Sequence, residues 1–214
     1  MDVTFPYRVA VGVGIFAALG IWDYIRHPDN PKRLKEYLFL FGMTLAAMAY
    51  GVAHDFVTYS LSRDYYVLGK GIESAANGFN LDVVKLAMKA TWSCGLIGAA
   101  LLLIANNPDR LKRQLPYRTL LKYAAIPLLC SMVAEGVGGA IFCIKAMPLA
   151  AGLGWTAVLE VTDEGFFAVW GMHLGAYAGA ALGVLMAAVL VVRQKRRMGA
   201  EADGQDGRMF WVRA

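Results

Sequence analysis

Residues 165–192 read GFFAVWGMHLGAYAGAALGVLMAAVLVV, a run without any Asp, Glu, Lys or Arg. The hydrocarbon core of a bilayer is about 30 Å thick, so a helix that crosses it needs roughly 20 mostly apolar residues. This run exceeds that length, and it therefore predicts a membrane-spanning helix.

Four further stretches meet the same criterion, at residues 7–25, 37–57, 83–105 and 123–144. The composition agrees, because 58% of the residues are hydrophobic and only 17% are charged, with a mean hydropathy of +0.48. Soluble domains are less apolar. We predict an all-α, polytopic membrane bundle of about five transmembrane helices over residues 1–197. A disordered cytoplasmic tail is expected over residues 198–214, and no room is left for a soluble catalytic module.

The cations lie mainly on alternate connections. Those after the first, third and fifth stretches are Arg26, Lys32, Arg33 and Lys35, then Arg110, Lys112, Arg113, Arg118 and Lys122, then Arg193, Lys195, Arg196 and Arg197. The opposite connections carry only Arg63, Lys70 and Lys145. Cations in short loops beside spans mark the cytoplasmic side. We therefore predict an external amino terminus and a cytoplasmic carboxyl terminus. The net charge of +5 reports orientation and does not indicate a nucleic-acid partner.

The first stretch is expected to be a retained span, because Met1–Tyr7 has no basic region and no A-x-A cleavage site follows it. The three cysteines, Cys94, Cys130 and Cys143, all lie inside predicted spans and form no CxxC pair. They indicate neither a disulfide framework nor a cysteine zinc site. We interpret them as small packing residues.

The last stretch carries a glycine ridge, defined as Gly171, Gly175, Gly179 and Gly183, at unbroken four-residue spacing. Glycines in this register let two helix backbones approach closely. The ridge can serve packing inside the monomer, which we favour, or contact with a second copy or another membrane protein. The same spacing fits both. Pro127 is expected to kink the fourth span.

Ionisable side chains inside the spans are the main functional candidates, because a charge there costs at least about 2.5–3.5 kcal/mol. Glu135 and His173 lie roughly 12 to 15 Å from the predicted outer end of their spans, at 1.5 Å per residue. Lys89 lies nearer the outer surface in the third span, and His54 and Asp55 close the second. These residues predict a polar layer in the outer half of the membrane.

Helical spacing places Trp170, His173 and Tyr177 on one stripe, and Ser131 and Glu135 on a face of the fourth span. If these faces oppose each other, we expect Glu135 to pair with His173, with Lys89 capping the cluster. Each residue also has a structural interpretation. Lys89 can snorkel to the interface, His54 and Asp55 can cap a helix end, Glu135 can be a neutral hydrogen-bond strut, and His173 can satisfy the core.

The segment YGVAHDFVTYSLSRDYYVLGKGI, residues 50–72, resembles an uncharacterised family of bacterial multipass membrane proteins with the motif YG-x-x-[HN]-D-Q-x-[ST]-x-x-x-S-x-E-Y-[FY], often followed by GKG. The similarity continues to Pro108. Phe56 stands in place of the usual glutamine and Asp64 in place of the usual glutamate. The resemblance implies a polytopic fold in a bacterial inner membrane and no established activity. It also suggests that the loop around Asp64 forms a lid over the polar layer; an amphipathic segment at the membrane surface is the alternative.

Three classes of function remain open from the sequence. The first is a protein that binds or relays a proton, ion or small polar solute at the polar layer. The second is a redox protein, with His54 and His173 as haem ligands or with His54, Asp55, Glu135 and His173 around a metal. The third is an accessory subunit of a membrane complex. An enzyme that uses Glu135 and His173 as acid and base is a weaker possibility, because no nucleophile or phosphate-loop motif accompanies them.

Overall fold

The computed structural model describes residues 4–108, 114–154 and 165–212, and within them every regular element is helical. The helices are α1 (Thr4–Arg26), α2 (Lys32–Leu61), α3 (Leu81–Ala105), α4 (Tyr117–Ile141), α5 (Met147–Gly152) and α6 (Gly165–Val212). Two π-helical turns, Tyr65–Gly69 and Phe142–Ala146, and a 3-10 turn, Glu73–Asn77, lie between them. The predicted all-α class is confirmed.

Four helical segments are long and apolar enough to cross a membrane: Lys32–Leu61, Leu81–Ala105, Tyr117–Lys145 and Gly165–Met198. Each contains one of the predicted stretches, and large apolar side chains remain exposed along all four. Exposure of this kind suits contact with lipid, because lipid tails do not penalise apolar surface. The protein is therefore a multi-pass membrane protein.

Helix α1 covers the first predicted stretch, 7–25. Side chains 4–6, 8 and 9 lie outside the described part of the chain, and a fifth span there remains a prediction. The carboxylate of Asp23 joins α1 to α2, because its Oδ2 accepts hydrogen bonds from the backbone N–H groups of Arg33 (2.8 Å) and Leu34 (3.3 Å). It caps two of the donors that the first turn of α2 leaves unpaired.

The glycine ridge packs against α4 of the same chain, and α4 and α6 form the most extensive helix pair. A Cβ at Gly175 would overlap the carbonyl oxygen of Ala134, and one at Gly179 would overlap that of Cys130. A Cβ at Gly171 would overlap the carbonyl oxygen of Gly138, and one at Gly183 would overlap the Cα of Pro127. In this structure the glycine ridge therefore serves packing inside the monomer. Contact of this surface with a second copy or another membrane protein stays a prediction.

Helix α2 packs against α3 through two other close approaches. A Cβ at Gly51 would lie 2.6 Å from the Thr91 side chain. A Cβ at Gly95 would lie 2.7 Å from Ala47. The two pairs, α2 with α3 and α4 with α6, are joined mainly by contacts of α3 with α6.

Two buried clusters lie toward opposite ends of the bundle. One is made of Phe39, Ala99, Leu102, Leu115, Leu120, Ala124, Ala187 and Val191. The other is made of Tyr65, Tyr66, Ala75, Val83, Phe166, Phe167 and Val169. The second cluster fixes the turn after α2 against the first turns of α3 and α6. The hydroxyl of Tyr59 strengthens it by donating to the Ala75 carbonyl at 2.6 Å.

Several boundaries differ from the sequence predictions. Helix α2 continues to Leu61, so His54 and Asp55 lie about two turns inside it and do not cap its end. The interpretation as interfacial caps was wrong because a short polar stretch inside a helix looks like its end on a hydropathy profile. Helix α6 runs to Val212, where we expected a disordered tail over residues 198–214. Ala, Glu, Gln, Arg and Met in that segment are good helix formers, whereas Gly199, Gly204 and Gly207 are poor ones, so helix propensity alone does not explain the continuation.

Candidate functional site

Four ionisable side chains from three helices meet inside the bundle, and we call them the acid–imidazole cluster: His54 and Asp55 from α2, Glu135 from α4 and His173 from α6. His54, Asp55 and His173 are only 8%, 5% and 8% exposed, and the side chain of Glu135 is 14% exposed. The structure thus brings together four residues that the sequence assigned to one polar layer. It pairs them differently, because His54 and Asp55 of α2 each contact one of the two expected partners.

The pairing is crosswise. His54 Nδ1 lies 3.0 Å from Glu135 Oε1, and His173 Nε2 lies 3.3 Å from Asp55 Oδ1. The two imidazole rings meet edge to face, with 4.6 Å between their centroids. The direct Glu135–His173 pair expected from the sequence is replaced by two acid–imidazole pairs in contact through their rings.

The helix packing explains why these groups meet. Gly175 of α6 lies against the backbone of Ala134 and Glu135 in α4, so the carboxylate of Glu135 is held next to α6. In α2, Tyr50 and His54 are four residues apart and therefore share a helix face. That face turns toward α4, because both side chains reach Glu135.

The Asp55–His173 pair has a defined protonation pattern. His173 Nδ1 lies 2.9 Å from the Val169 carbonyl oxygen. A carbonyl oxygen only accepts, so Nδ1 must carry a proton and donate it. Nε2 then faces Asp55 Oδ1 with a lone pair unless a further proton lies between the two atoms. A proton or another cation between the two atoms would make this contact attractive.

The His54–Glu135 pair belongs to a chain of hydroxyl groups. The Tyr50 hydroxyl donates to Glu135 Oε2 at 2.8 Å. The Ser131 hydroxyl lies 3.2 Å from the Tyr50 hydroxyl and 2.9 Å from the Ala176 carbonyl oxygen, and its single proton serves one of them at a time. Tyr50 and Ser131 therefore orient the carboxylate of Glu135.

His54 differs from the other members of the cluster. Its Nδ1 is close to Glu135 Oε1, but the direction of the contact falls short of a hydrogen bond, and its Nε2 has no hydrogen-bond partner among the described residues. Buried polar atoms are nearly always hydrogen-bonded, and an exception needs an explanation. A bound ligand is one such explanation. The contact of His54 with a second buried histidine, His173, favours a ligand that imidazoles bind.

Aromatic rings from the turn after α2 close the cluster. The centroid of the Tyr65 ring lies 4.6 Å from that of the His173 ring. The Lys70 ammonium lies 5.2 Å from the centre of the same Tyr65 ring. The Tyr66 hydroxyl lies 2.6 Å from Thr58 Oγ1 and donates to the Asp55 carbonyl at 3.2 Å. Burial raises the pKa of both tyrosines well above the usual range. Both phenols therefore stay neutral at physiological pH.

The cluster lies at one end of a cavity of about 300 Å³ between α2, α3, α4 and α6. Most of the wall is apolar and made of small side chains. It includes Met43, Ala46, Ala47, Leu86, Ala87, Ala90, Gly95, Gly98, Leu102, Leu121, Ala124, Ala125, Leu128, Ala176, Ala180 and Val184. The cavity therefore offers room next to the cluster for a ligand with an apolar part.

Three of the residues that the sequence put forward play smaller parts. Lys89 is exposed on α3 and does not line the cavity, so it does not cap the cluster. Asp64 is half-buried just before the turn Tyr65–Gly69 and is not among the lining residues. Tyr177 lines the cavity but is 41% exposed. Phe56 points away and packs against Phe79 at 5.3 Å between ring centroids, so an amide in its place would not reach the cluster.

Sequence reasoning left Tyr50, Ser131, Tyr65 and Tyr66 out of the site. The signal for Tyr50 was its four-residue spacing from His54, and Ser131 has the same spacing from Glu135. Tyr65 and Tyr66 entered the sequence argument only as part of the predicted lid around Asp64, because the groups they contact depend on the π-helical turn that folds them back onto α2 and α6.

The cluster fits a metal ion better than a haem. Donor atoms of His54, Asp55 and His173 all lie within 4.8 Å of one another. Two imidazoles on opposite sides of one haem iron would have ring centroids about 6 Å apart, given nitrogen–metal bonds of roughly 2 Å. The observed 4.6 Å and the edge-to-face arrangement leave no space for a porphyrin between the rings.

Comparison of the chain with models of protein families, with curated proteins and with solved structures gives no match. The resemblance of residues 50–72 to a family of bacterial multipass membrane proteins therefore stays a prediction.

Proposed function

We propose that this membrane protein binds a cation at the acid–imidazole cluster. The observation that carries the proposal is the burial of two carboxylates, Asp55 and Glu135, each facing an imidazole. Among the described residues, no Lys or Arg forms an ion pair with either carboxylate. An unpaired charge at this depth costs at least about 2.5–3.5 kcal/mol. Two positive charges from outside the protein's own basic side chains would balance both carboxylates.

Two protons or one divalent cation would supply this charge. Two protons would make both imidazoles cationic, whereas one divalent cation would leave them neutral. Both states balance the cluster, and both make it a binding site for a cation that comes from solution. The Lys70 ammonium does not do so, because it is exposed and lies over the Tyr65 ring.

We further propose that the protein resides in a bacterial inner membrane, with the cluster in the half that faces away from the cytoplasm. The distribution of cations supports this orientation. On this assignment, a cation would reach the cluster from the external side, past the turn that holds Tyr65 and Lys70.

A second candidate is the binding of a small solute, and the cavity favours it. Its polar end offers hydrogen-bonding groups from Tyr50, His54 and Asp55, and the remaining wall is apolar. Ligand sites commonly combine an apolar wall with a few converging polar groups. The cation and the solute can share the site, because the cluster occupies only one end of the cavity.

Thermal unfolding of the purified protein in detergent tests cation binding. We would compare the wild type with the double variant Asp55→Asn/Glu135→Gln, which keeps the shape and removes both negative charges. The panel would contain a pH series and chloride salts of Na⁺, Mg²⁺ and Zn²⁺. A cation that binds only the folded state at about 100 times its Kd stabilises it by roughly 2.7 kcal/mol. We expect the wild type to respond to at least one condition and the double variant to lose that response.

The matched control is Lys89→Met, which changes one charge in a span without touching the cluster. It should respond as the wild type does. Equal responses of the wild type and the double variant under every condition would contradict the proposal.

A further inference from the structure

We infer that the cluster binds one divalent transition-metal ion through His54, Asp55 and His173. Glu135 is not a ligand in this arrangement and orients the His54 ring through its Nδ1 atom. This inference rests on the proposed cation site and names the cation. It excludes a site that takes up protons alone.

His173 is already oriented as a metal ligand. Its Nδ1 donates to the Val169 carbonyl oxygen at 2.9 Å, which fixes the ring and leaves Nε2 as the free donor atom. Histidines that bind metals almost always give their other ring N–H to a carbonyl or carboxylate oxygen. The Tyr65 ring, stacked at 4.6 Å, further restricts rotation of the imidazole.

His54 matches this arrangement on the other side. Its Nδ1 is 3.0 Å from Glu135 Oε1, and a small rotation of the ring would turn that contact into a hydrogen bond. Its Nε2 is buried and lacks a hydrogen-bond partner among the described residues. A metal ion at Nε2 would satisfy the atom that the protein itself leaves unsatisfied. Tyr50 completes the support, because it donates to the other oxygen of Glu135.

Asp55 supplies the third ligand. Its Oδ1 lies 3.3 Å from His173 Nε2. Two ligand atoms of a tetrahedral site, each about 2.0–2.1 Å from the metal, lie roughly 3.3 Å apart. The distance is therefore the one expected across a metal site. One ligand atom from each of His54, Asp55 and His173 lies within 4.8 Å of the other two, so the three residues are close enough to share one ion after side-chain rotation.

The donor set identifies the class of ion. Two imidazole nitrogens and one carboxylate oxygen suit Zn²⁺, Fe²⁺ and Co²⁺, whereas Mg²⁺ and Ca²⁺ prefer sites made of oxygen atoms. The charges agree, because a divalent ion balances the carboxylates of Asp55 and Glu135 while both imidazoles remain neutral. Three protein ligands leave further positions open, and the adjoining cavity gives them access to a small molecule.

Cobalt(II) is a suitable probe, because its visible absorption changes when water ligands are replaced by protein ligands. The full chain, purified in detergent and stripped with a chelator, would be titrated with CoCl₂. We expect bands of a site with fewer than six ligands to saturate at one Co²⁺ per chain. His54→Ala and His173→Ala should each lose these bands. Glu135→Gln should keep them with an affinity about 10- to 100-fold weaker, as for other outer partners of metal ligands.

The chain contains a matched control in its third histidine. His27 is exposed beyond the end of α1, and His27→Ala should bind Co²⁺ as the wild type does. The inference is overturned if the wild-type spectrum stays that of hydrated Co²⁺, or if His27→Ala loses as much signal as His54→Ala. X-ray absorption of Zn²⁺-loaded wild type gives a test independent of any variant's folding: two imidazole ligands support the inference, and none overturns it.

Failure of this inference is distinguishable from failure of the proposed cation site. A wild type that binds neither Co²⁺ nor Zn²⁺, yet still differs from Asp55→Asn/Glu135→Gln across the pH series, would retain a cation site that takes protons. A wild type that binds neither metal and also matches the double variant across the pH series would contradict the proposed cation site itself.

Discussion

A backbone carbonyl and a tyrosine hydroxyl determine how the buried acids and imidazoles of this protein are used. The Val169 carbonyl fixes the proton on His173 Nδ1, and the Tyr50 hydroxyl holds one oxygen of Glu135. Neither group is charged, but each fixes the orientation of an ionisable neighbour. Single-residue changes next to the cluster should therefore change both stability and ligand binding.

Tyr50→Phe removes the hydroxyl that donates to Glu135 and keeps the ring. Hydrogen bonds to charged groups contribute about 1.5–3 kcal/mol, so we expect the free energy of unfolding to fall by roughly that amount. Unfolding in mixed micelles measures it. The matched control is Tyr24→Phe on α1, where the side chain is 53% exposed. Equal losses for the two variants would contradict a role of Tyr50 in holding Glu135.

The burial of the Tyr66 hydroxyl predicts that the protein loses stability at alkaline pH. Burial raises the pKa of this phenol in the folded protein, whereas in the unfolded chain the pKa stays near its ordinary value of about 10. Above that value the unfolded chain releases the proton first, so stability that is complete below about pH 10 is lost as the pH rises.

The variant Tyr66→Phe tests this alkaline effect. It should be less stable at neutral pH, because the hydroxyl no longer contacts Thr58 and the Asp55 carbonyl. Its stability should fall less steeply than that of the wild type above about pH 10. Parallel curves for the two proteins would show that Tyr66 is not the group responsible.

At the scale of helices, close backbone contact between α4 and α6 sets the distance between their polar groups. The glycine ridge lets α6 reach the carbonyl oxygens of Ala134 and Cys130. Glu135 follows Ala134 directly, and His173 lies two residues before Gly175. The same contact that packs the helices therefore places an acid from one and an imidazole from the other beside α2.

Gly175→Ala should disturb both packing and the cluster. The added methyl group would overlap the Ala134 carbonyl oxygen, and overpacking of this kind typically costs about 1–3 kcal/mol. We expect a loss of stability in this range and weaker cation binding, because α4 and α6 must move apart. The control is Gly136→Ala in α4, where a Cβ meets nothing within 4 Å. A control as unstable as Gly175→Ala would contradict the role of the ridge.

At the scale of the whole molecule, charge distribution and helix packing are separate features. The basic residues set the predicted orientation, whereas the cluster depends on contacts among α2, α4 and α6. Lys195 contributes both to the charge distribution and to helix packing. It lies near the predicted cytoplasmic end, and its ammonium donates to the carbonyl oxygens of Ala105 (3.2 Å) and Asn107 (2.5 Å), which satisfies acceptors at the end of α3.

Reporter fusions test the orientation directly. A reporter placed after Arg197 should be active in the cytoplasm, and one placed after Asn77 should be active on the opposite side. The physical reason is the excess of cations on the connections expected to stay inside. Alkaline phosphatase and green fluorescent protein give opposite responses on the two sides and so check each other. A reversed pattern would move the cluster to the half of the membrane that faces the cytoplasm.

The amino-acid sequence alone determined the fold class, the positions of four spans and the common level of Glu135 and His173. Hydropathy and length belong to each segment separately, so these features need no knowledge of neighbouring helices. The sequence also placed His54 and Asp55 next to the polar layer, but at a helix end. The helix continues to Leu61, and the segment after it folds back onto Thr58 and Tyr59, whereas Phe56, Val57 and Leu61 stay exposed.

Only the tertiary structure decided which acid pairs with which imidazole. The pairing depends on how far each helix is rotated about its axis, and residues far apart in the chain set that rotation. The glycine ridge against Ala134 and the contact of Gly51 with Thr91 are examples. A sequence shows that an acid and a histidine lie at the same depth. Which of them touch is decided by the shape of the helix surfaces once they are packed.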